Sequence, residues 1–151
     1  MKRILFVSVL ALALGACSKD KFKTVPTVKI NSIGPSEARN GDIIQVFATV
    51  TDKEGDLQDS VIVVRKKFNG STLLSTDSSA KVSLKGLGSP VKDKIELRIS
   101  ISYGKLLPEF ALYQELERDF DREFSVGLIV RDNAGNRSEY VESDRITLKK
   151  F

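Results

Sequence analysis

Most apolar positions after residue 25 recur at period two, the spacing of a strand with one face buried. Within 42–51, Ile44, Val46, Ala48 and Val50 fall on one face. Within 94–103, Ile95, Leu97, Ile99 and Ile101 do the same, as do Phe124, Val126, Leu128 and Val130 further on. Shorter alternations pair Val28 with Ile30 in 26–33, before the turn signal Gly34-Pro35, and Val82 with Leu84 in 81–85. Residues 61–68 are β-branched and then basic, and run into Asn69-Gly70, a strong hairpin dipeptide, with 72–75 returning. Residues 139–149 read as a last strand bent near Ser143-Asp144. The pattern predicts an all-β fold of seven or eight strands, at the spacing of an antiparallel sandwich.

One segment changes period. Within 108–120, Leu112, Leu116 and Phe120 stand four apart, and Pro108 suits a first helical turn. The spacing predicts a short helix before the penultimate strand, with Phe110 and Tyr113 as core aromatics beside the stripe.

The first residues have another pattern. Lys2 and Arg3 precede an uncharged apolar run, 4–13, too short for a bilayer span of about 20 residues and suited to a signal peptide. Leu14-Gly15-Ala16-Cys17 follows and resembles the bacterial lipobox. In that family the Cys thiol accepts a diacylglycerol, and a peptidase cuts before it. An ordinary signal peptide followed by a buried Cys is the alternative, but the chain's one Cys stands where the motif requires it. The resemblance implies a signal peptide at 1–16, a lipidated Cys17 and polar tether at 17–25, and a folded domain at 26–151. Ser18 at the next position permits transfer to the outer membrane. Ser18-Lys19-Asp20-Lys21 partly resembles the export signal of Bacteroidetes surface lipoproteins, with Lys21 where a second acid usually stands. A plain polar tether is the other reading, and whether the domain faces the periplasm or the cell surface stays open.

Composition removes chemistry rather than adding it. The 151 residues contain no His, no Trp and one Cys. That excludes a Ser-His-Asp triad, an intramolecular disulfide and a cysteine metal cage. The formal net charge of +4 is too thin for a nucleic-acid partner, and loss of Lys2 and Arg3 on cleavage halves it to +2. The carboxylates Glu115, Glu117, Asp119 and Asp121 read as a solvated face rather than a glycosidase pair, and an enzyme is not expected.

Two strand–loop passages carry a second resemblance. Ala48-Thr-Val-Thr-Asp52-Lys-Glu-Gly55-Asp56 and Val130-Arg-Asp132-Asn-Ala-Gly135-Asn136 resemble passages of bacterial immunoglobulin-like and cadherin-like domains. The resemblance implies an immunoglobulin-like sandwich with both loops at one end. Asp52, Glu54, Asp56, Asp59, Asp132, Asn133 and Asn136 would then crowd one pole. Calcium takes six to eight oxygens from such loops, which makes Asp52, Glu54, Asp56, Asp132 and Asn136 its candidate ligands. Asp and Asn closing their own turns, with Gly55 and Gly135 at positive φ, account for the same residues without a cofactor.

The expected function is a non-enzymatic, lipid-anchored envelope protein that binds or adheres through polar loops at one end. Its partners would be the membrane, through the N-terminal lipid, and an envelope protein or glycan. A structural subunit of an outer-membrane complex is the alternative.

Overall fold

The computed structural model describes residues 25–55, 57, 60–83, 93–110 and 112–151. In chain order its strands are β1 (Thr27–Gly34), β2 (Glu37–Ala38), β3 (Ile43–Thr51), β4 (Ser60–Asn69) and β5 (Thr72–Ser83). There follow β6 (Lys94–Tyr103), β7 (Leu112–Gln114), β8 (Arg122–Arg131), β9 (Val141–Glu142) and β10 (Ile146–Leu148). One sheet runs β1-β3-β6-β7, and the other runs β2-β10-β8-β4-β5 with β9 also on β8. All pairings are antiparallel except β2 with β10 and β6 with β7. The chain leaves the first sheet and joins the second across Gly34-Pro35, whose peptide bond is cis.

Period-two alternation explains the sandwich. Ile44, Val46, Ala48 and Val50 point inward from β3, and Phe124, Val126, Leu128 and Val130 point inward from β8. Leu97, Ile101, Val61, Val63, Ile146 and Leu148 complete the layer, and Leu57 plugs it from the loop after β3. Each fully buried side chain of this kind stabilises by about 1.5–3 kcal/mol, so the two faces hold each other without a disulfide.

Among the described residues ten strands stand where seven or eight are expected, because β2, β7 and β9 are two or three residues long and too short to show a period. The pieces expected at 72–75 and 81–85 form one strand as far as Ser83, since β4 pairs with it from Asn69–Thr72 to Ser60–Ser83. The strand expected over 139–149 divides into β9 and β10 at the bend, where Ser143 N–H donates to Val126 O.

The short helix expected over 108–120 does not form: among the described residues there is no helix. The free edge of β6 supplies the reason. Leu112, Tyr113 and Gln114 pair in parallel with Ile101, Ser102 and Tyr103, and this buries Leu112. Leu116 packs against the core, while Phe120, third in the supposed stripe, is 63% exposed. Phe110 and Tyr113, expected in the core, are only half-buried. Gly104 makes the turn after β6 at φ +72°, and a Cβ there would strike Asn40 Oδ1 and Leu116 Cδ1.

Tyr103 fastens the segment after β7. Its ring is fully buried, its hydroxyl donates to Lys149 O at 2.8 Å, and it accepts from Glu117 N–H at 3.1 Å. Burial pushes its pKa up, against the lowering effect of the Glu117 N–H. Tyr103→Phe keeps the ring but orphans both backbone groups, and should cost about 1–3 kcal/mol. Denaturant unfolding measures this, and an unchanged midpoint would show that the hydroxyl bridge contributes nothing.

Candidate functional site

The loop after β3 and the loop after β8 lie at one end of the sandwich. Ser60 pairs with Arg131, so β4 begins where β8 ends, and Thr51 of β3 reaches the same level beside Thr27 and Lys94. The sequence expectation that these loops share a pole therefore holds. Asp56 and Asp59 lie outside the described residues, as do Cys17 and the lipobox residues Leu14, Gly15 and Ala16.

Asp132 is buried, 1% exposed, and its carboxylate is already occupied. Asn136 N–H donates to Oδ1 at 2.7 Å, and Asn136 Nδ2 donates to Oδ2 at 2.8 Å. Its backbone oxygen accepts from Gly135 N–H at 3.2 Å, with Gly135 at φ +91°. Asp52 is 3% exposed, and its Oδ1 accepts from Glu54 N–H at 3.3 Å. Its N–H donates to Asp93 O at 2.8 Å, and Gly55 N–H donates to its carbonyl. These are the bonds of Asx turns.

One atom stands apart: Asp52 Oδ2 is buried without a hydrogen-bond partner. A single orphan oxygen is far from the six to eight that calcium takes. Among the described residues no three Asp, Glu or Cys side chains come together as ligands. Asn136 turns its amide nitrogen on Asp132, and Glu54 is exposed. The described donors do not fit a calcium cage. A hollow of about 620 Å³ opens beside this pole, lined by Val25, Thr27, Thr51, Asp52, Lys53, Asp93 and Lys94.

Of the acidic residues at 115–121, Glu117 and Asp121 bind the chain to itself at the opposite pole. Lys67 Nζ meets Glu117 Oε1 at 2.6 Å, and Lys149 pairs with Asp121, which also accepts from Lys150 N–H at 2.9 Å. Hydrogen bonding by Lys149 holds Asp121 below the usual carboxylate range. A hollow of about 580 Å³ lies here between Asn69, Phe120, Asp121, Arg122 and Lys150. Arg65 of β4 donates to Tyr113 O on β7 of the other sheet and pairs with Asp77 of its own neighbour β5.

Sequence reasoning missed a third cluster, on the outer face of the second sheet. Ser125 Oγ–H donates to Glu142 Oε1 at 2.6 Å, and Tyr140 O–H donates to Oε2 at 2.9 Å. Lys66 Nζ meets Oε2 at 2.5 Å and stands 4.8 Å from the Tyr140 ring centre. The ring lies over Gly127, and a Cβ at that position would run into it. An isolated Gly inside the strand pattern before Val130 was the available signal. Glu142 raises the Lys66 pKa by hydrogen bonding. Burial pushes Glu142 up, but bonds from Lys66, Ser125 and Tyr140 outweigh it and hold the carboxyl below its ordinary range. Both shifts fix the charged forms, the reverse of what a nucleophilic lysine or a general acid at neutral pH requires.

No family model and no curated protein matches the chain. Among solved structures it is similar to the sporulation control protein Spo0M of Bacillus subtilis, at 12% identity and TM-score 0.48. That match covers 84% of this chain and 50% of the other, so the chain spans about half the length of Spo0M. It is similar to a superoxide reductase (neelaredoxin) of Ignicoccus hospitalis at 8% identity and TM-score 0.37, covering 83% and 82%. It is similar to the CARDB domain of the PF1109 protein of Pyrococcus furiosus, a structure with di-metal ions, at 13% identity and TM-score 0.29, covering 85% and 89%. Likenesses this distant bear on neither family nor function.

Two measurements follow from these clusters. Melts in saturating calcium and in chelator should superimpose. A stabilisation approaching 2.7 kcal/mol at a hundred times the dissociation constant would restore the calcium site. Glu142 should titrate below its ordinary value of 4.5 when its carboxyl is followed by NMR. A lowered folded pKa contributes stability above the unfolded value and loses it as pH falls through the folded one. Glu142→Gln should therefore flatten the loss of stability as pH falls below the ordinary carboxyl value of 4.5, and a profile as steep as the parent's would show that the cluster does not titrate as a unit.

Proposed function

We propose that the chain is a lipid-anchored protein of the bacterial outer membrane, held through Cys17, whose sandwich is a non-enzymatic binding or adhesion module. The observation that carries this reading is Leu14-Gly15-Ala16-Cys17, with the chain's one Cys at the position the lipobox requires. Two acyl chains, at about 0.8 kcal/mol per buried CH2, give a durable anchor where one gives a reversible one. The absence of His from the sequence supports a non-enzymatic role, and so does the use of the buried carboxylates in internal bonds. Envelope protein and glycan both remain in the proposed partner class.

The sandwich is read as immunoglobulin-like. The order β1-β3-β6 corresponds to strands A, B and E, and β10-β8-β4-β5 corresponds to G, F, C and the extra C′ strand of variable-type domains. On that reading 52–59 and 132–140 are the B–C and F–G loops.

A second reading, a subunit of an outer-membrane complex, draws on β5. It is the last strand of its sheet, with Leu73 and Leu74 about half exposed, and such an edge suits strand addition. Crosslinking in cells that traps one specific neighbour along β5 would favour this reading.

A fatty-acid probe fed to producing cells should label the parent protein and not Cys17→Ser, which should leave the membrane fraction. Label that persists on Cys17→Ser would sink the anchor.

A further inference from the structure

The position at which the chain enters the sandwich decides which end an N-terminal anchor would hold. Val25 and Thr27 line the same hollow as Thr51, Asp52, Lys53, Asp93 and Lys94. Thr27 and Thr51 share a hydroxyl–hydroxyl bond at 2.5 Å, which fixes the first turn of chain against the start of the 52–59 loop. The entry point and the polar loops are therefore at one pole. Eight residues, 18–25, separate Cys17 from it, a reach of about 25 Å when fully extended.

The opposite pole is a strand's length away. β4, β6 and β8 each have ten residues, which at about 3.3 Å per residue places the far turns roughly 30 Å beyond the loops. Large exposed apolar side chains gather there: Leu73 and Leu74 after the hairpin, Leu106 after β6, Phe120 before β8, and Phe151. Lys53 and Lys94 stand at the entry pole, and so do Asp93 and Glu54; among the described residues there, Val25 is the one large exposed apolar side chain.

We infer that the anchor turns the loop pole, 52–55 and Leu57 with 132–137, toward the lipid headgroups of its own bilayer and points the Phe120–Arg122–Lys150 end away from it. This rests on the proposed lipidation of Cys17 and specifies it. It also reverses the expectation that the polar loops are the surface offered to a partner. A tether of eight residues leaves those loops within a chain's reach of the bilayer, while the turns at 69–72 and 104–107 stand clear of it. The occupant of the loop pole is the lipid surface, because the N-terminal segment that carries Cys17 joins the domain there, and its reach of about 25 Å from Cys17 falls short of the other end.

The test uses the full lipidated protein in vesicles of phosphatidylethanolamine and phosphatidylglycerol containing an acceptor-labelled lipid. Cys17 carries the lipid on its sulfur, so a thiol introduced elsewhere takes the donor alone. Lys53→Cys places the donor at the loop pole and Ser71→Cys places it at the far hairpin; both positions are exposed. The expected result is strong energy transfer from residue 53, lost when the donor moves to residue 71. Equal transfer from both, or stronger transfer from 71, overturns the orientation while leaving the anchor intact. Protein that stays off the vesicles with no transfer from either position overturns the anchor, and this inference with it.

Discussion

The hydroxyl of Tyr103 joins parts of the chain that no strand pairing connects. Tyr103 ends β6 in one sheet, yet its oxygen is bonded to Lys149, just beyond β10 of the other sheet, and to Glu117, beyond β7. Around this bond the acidic segment 115–121, in neither helix nor strand, delivers Glu117 to Lys67 and Asp121 to Lys149. The helix suggested by Leu112, Leu116 and Phe120 loses to this arrangement. A three-residue parallel pairing, a buried hydroxyl with two partners and two ion pairs all favour the non-helical form. Helical spacing is a weak prior beside such a network.

Much of the fold was legible where a face is buried along a whole strand. Ile44, Val46, Ala48 and Val50, and likewise Phe124, Val126, Leu128 and Val130, recur at period two, and all eight are in the core. The illegible parts are those whose conformation is set by a neighbour. β2 exists because β10 lies beside it, β7 because β6 has a free edge, and β9 because β8 is longer than β10. None is long enough to impose a period. Gly127 was readable only as an irregularity, since its meaning lies in Tyr140, thirteen positions later.

The candidate site shows the same division. Loop proximity followed from strand order and was legible, whereas the use of each carboxylate was not. Asp132 in Asp-Asn-Ala-Gly-Asn has the composition of both a metal loop and an Asx turn. The deciding fact is the geometry of Asn136, which donates twice to Asp132. A carboxylate engaged in this way stiffens its loop and leaves no lone pair pointing outward along those bonds. The Glu142 cluster does similar work on the sheet's outer face, where charge is held in place rather than poised to move.

The parallel pairing of Glu37–Ala38 with Thr147–Leu148 has a consequence for how the chain is made. The partners lie more than a hundred residues apart, so closing that sheet edge carries a large loop entropy and raises the contact order. During synthesis from the N-terminus, β2 has no strand to join until nearly the whole domain has emerged. The early strands must wait with Ala38 uncovered, so folding completes late and as a unit, and a holding factor acting before then would see an open edge rather than a half-built sandwich.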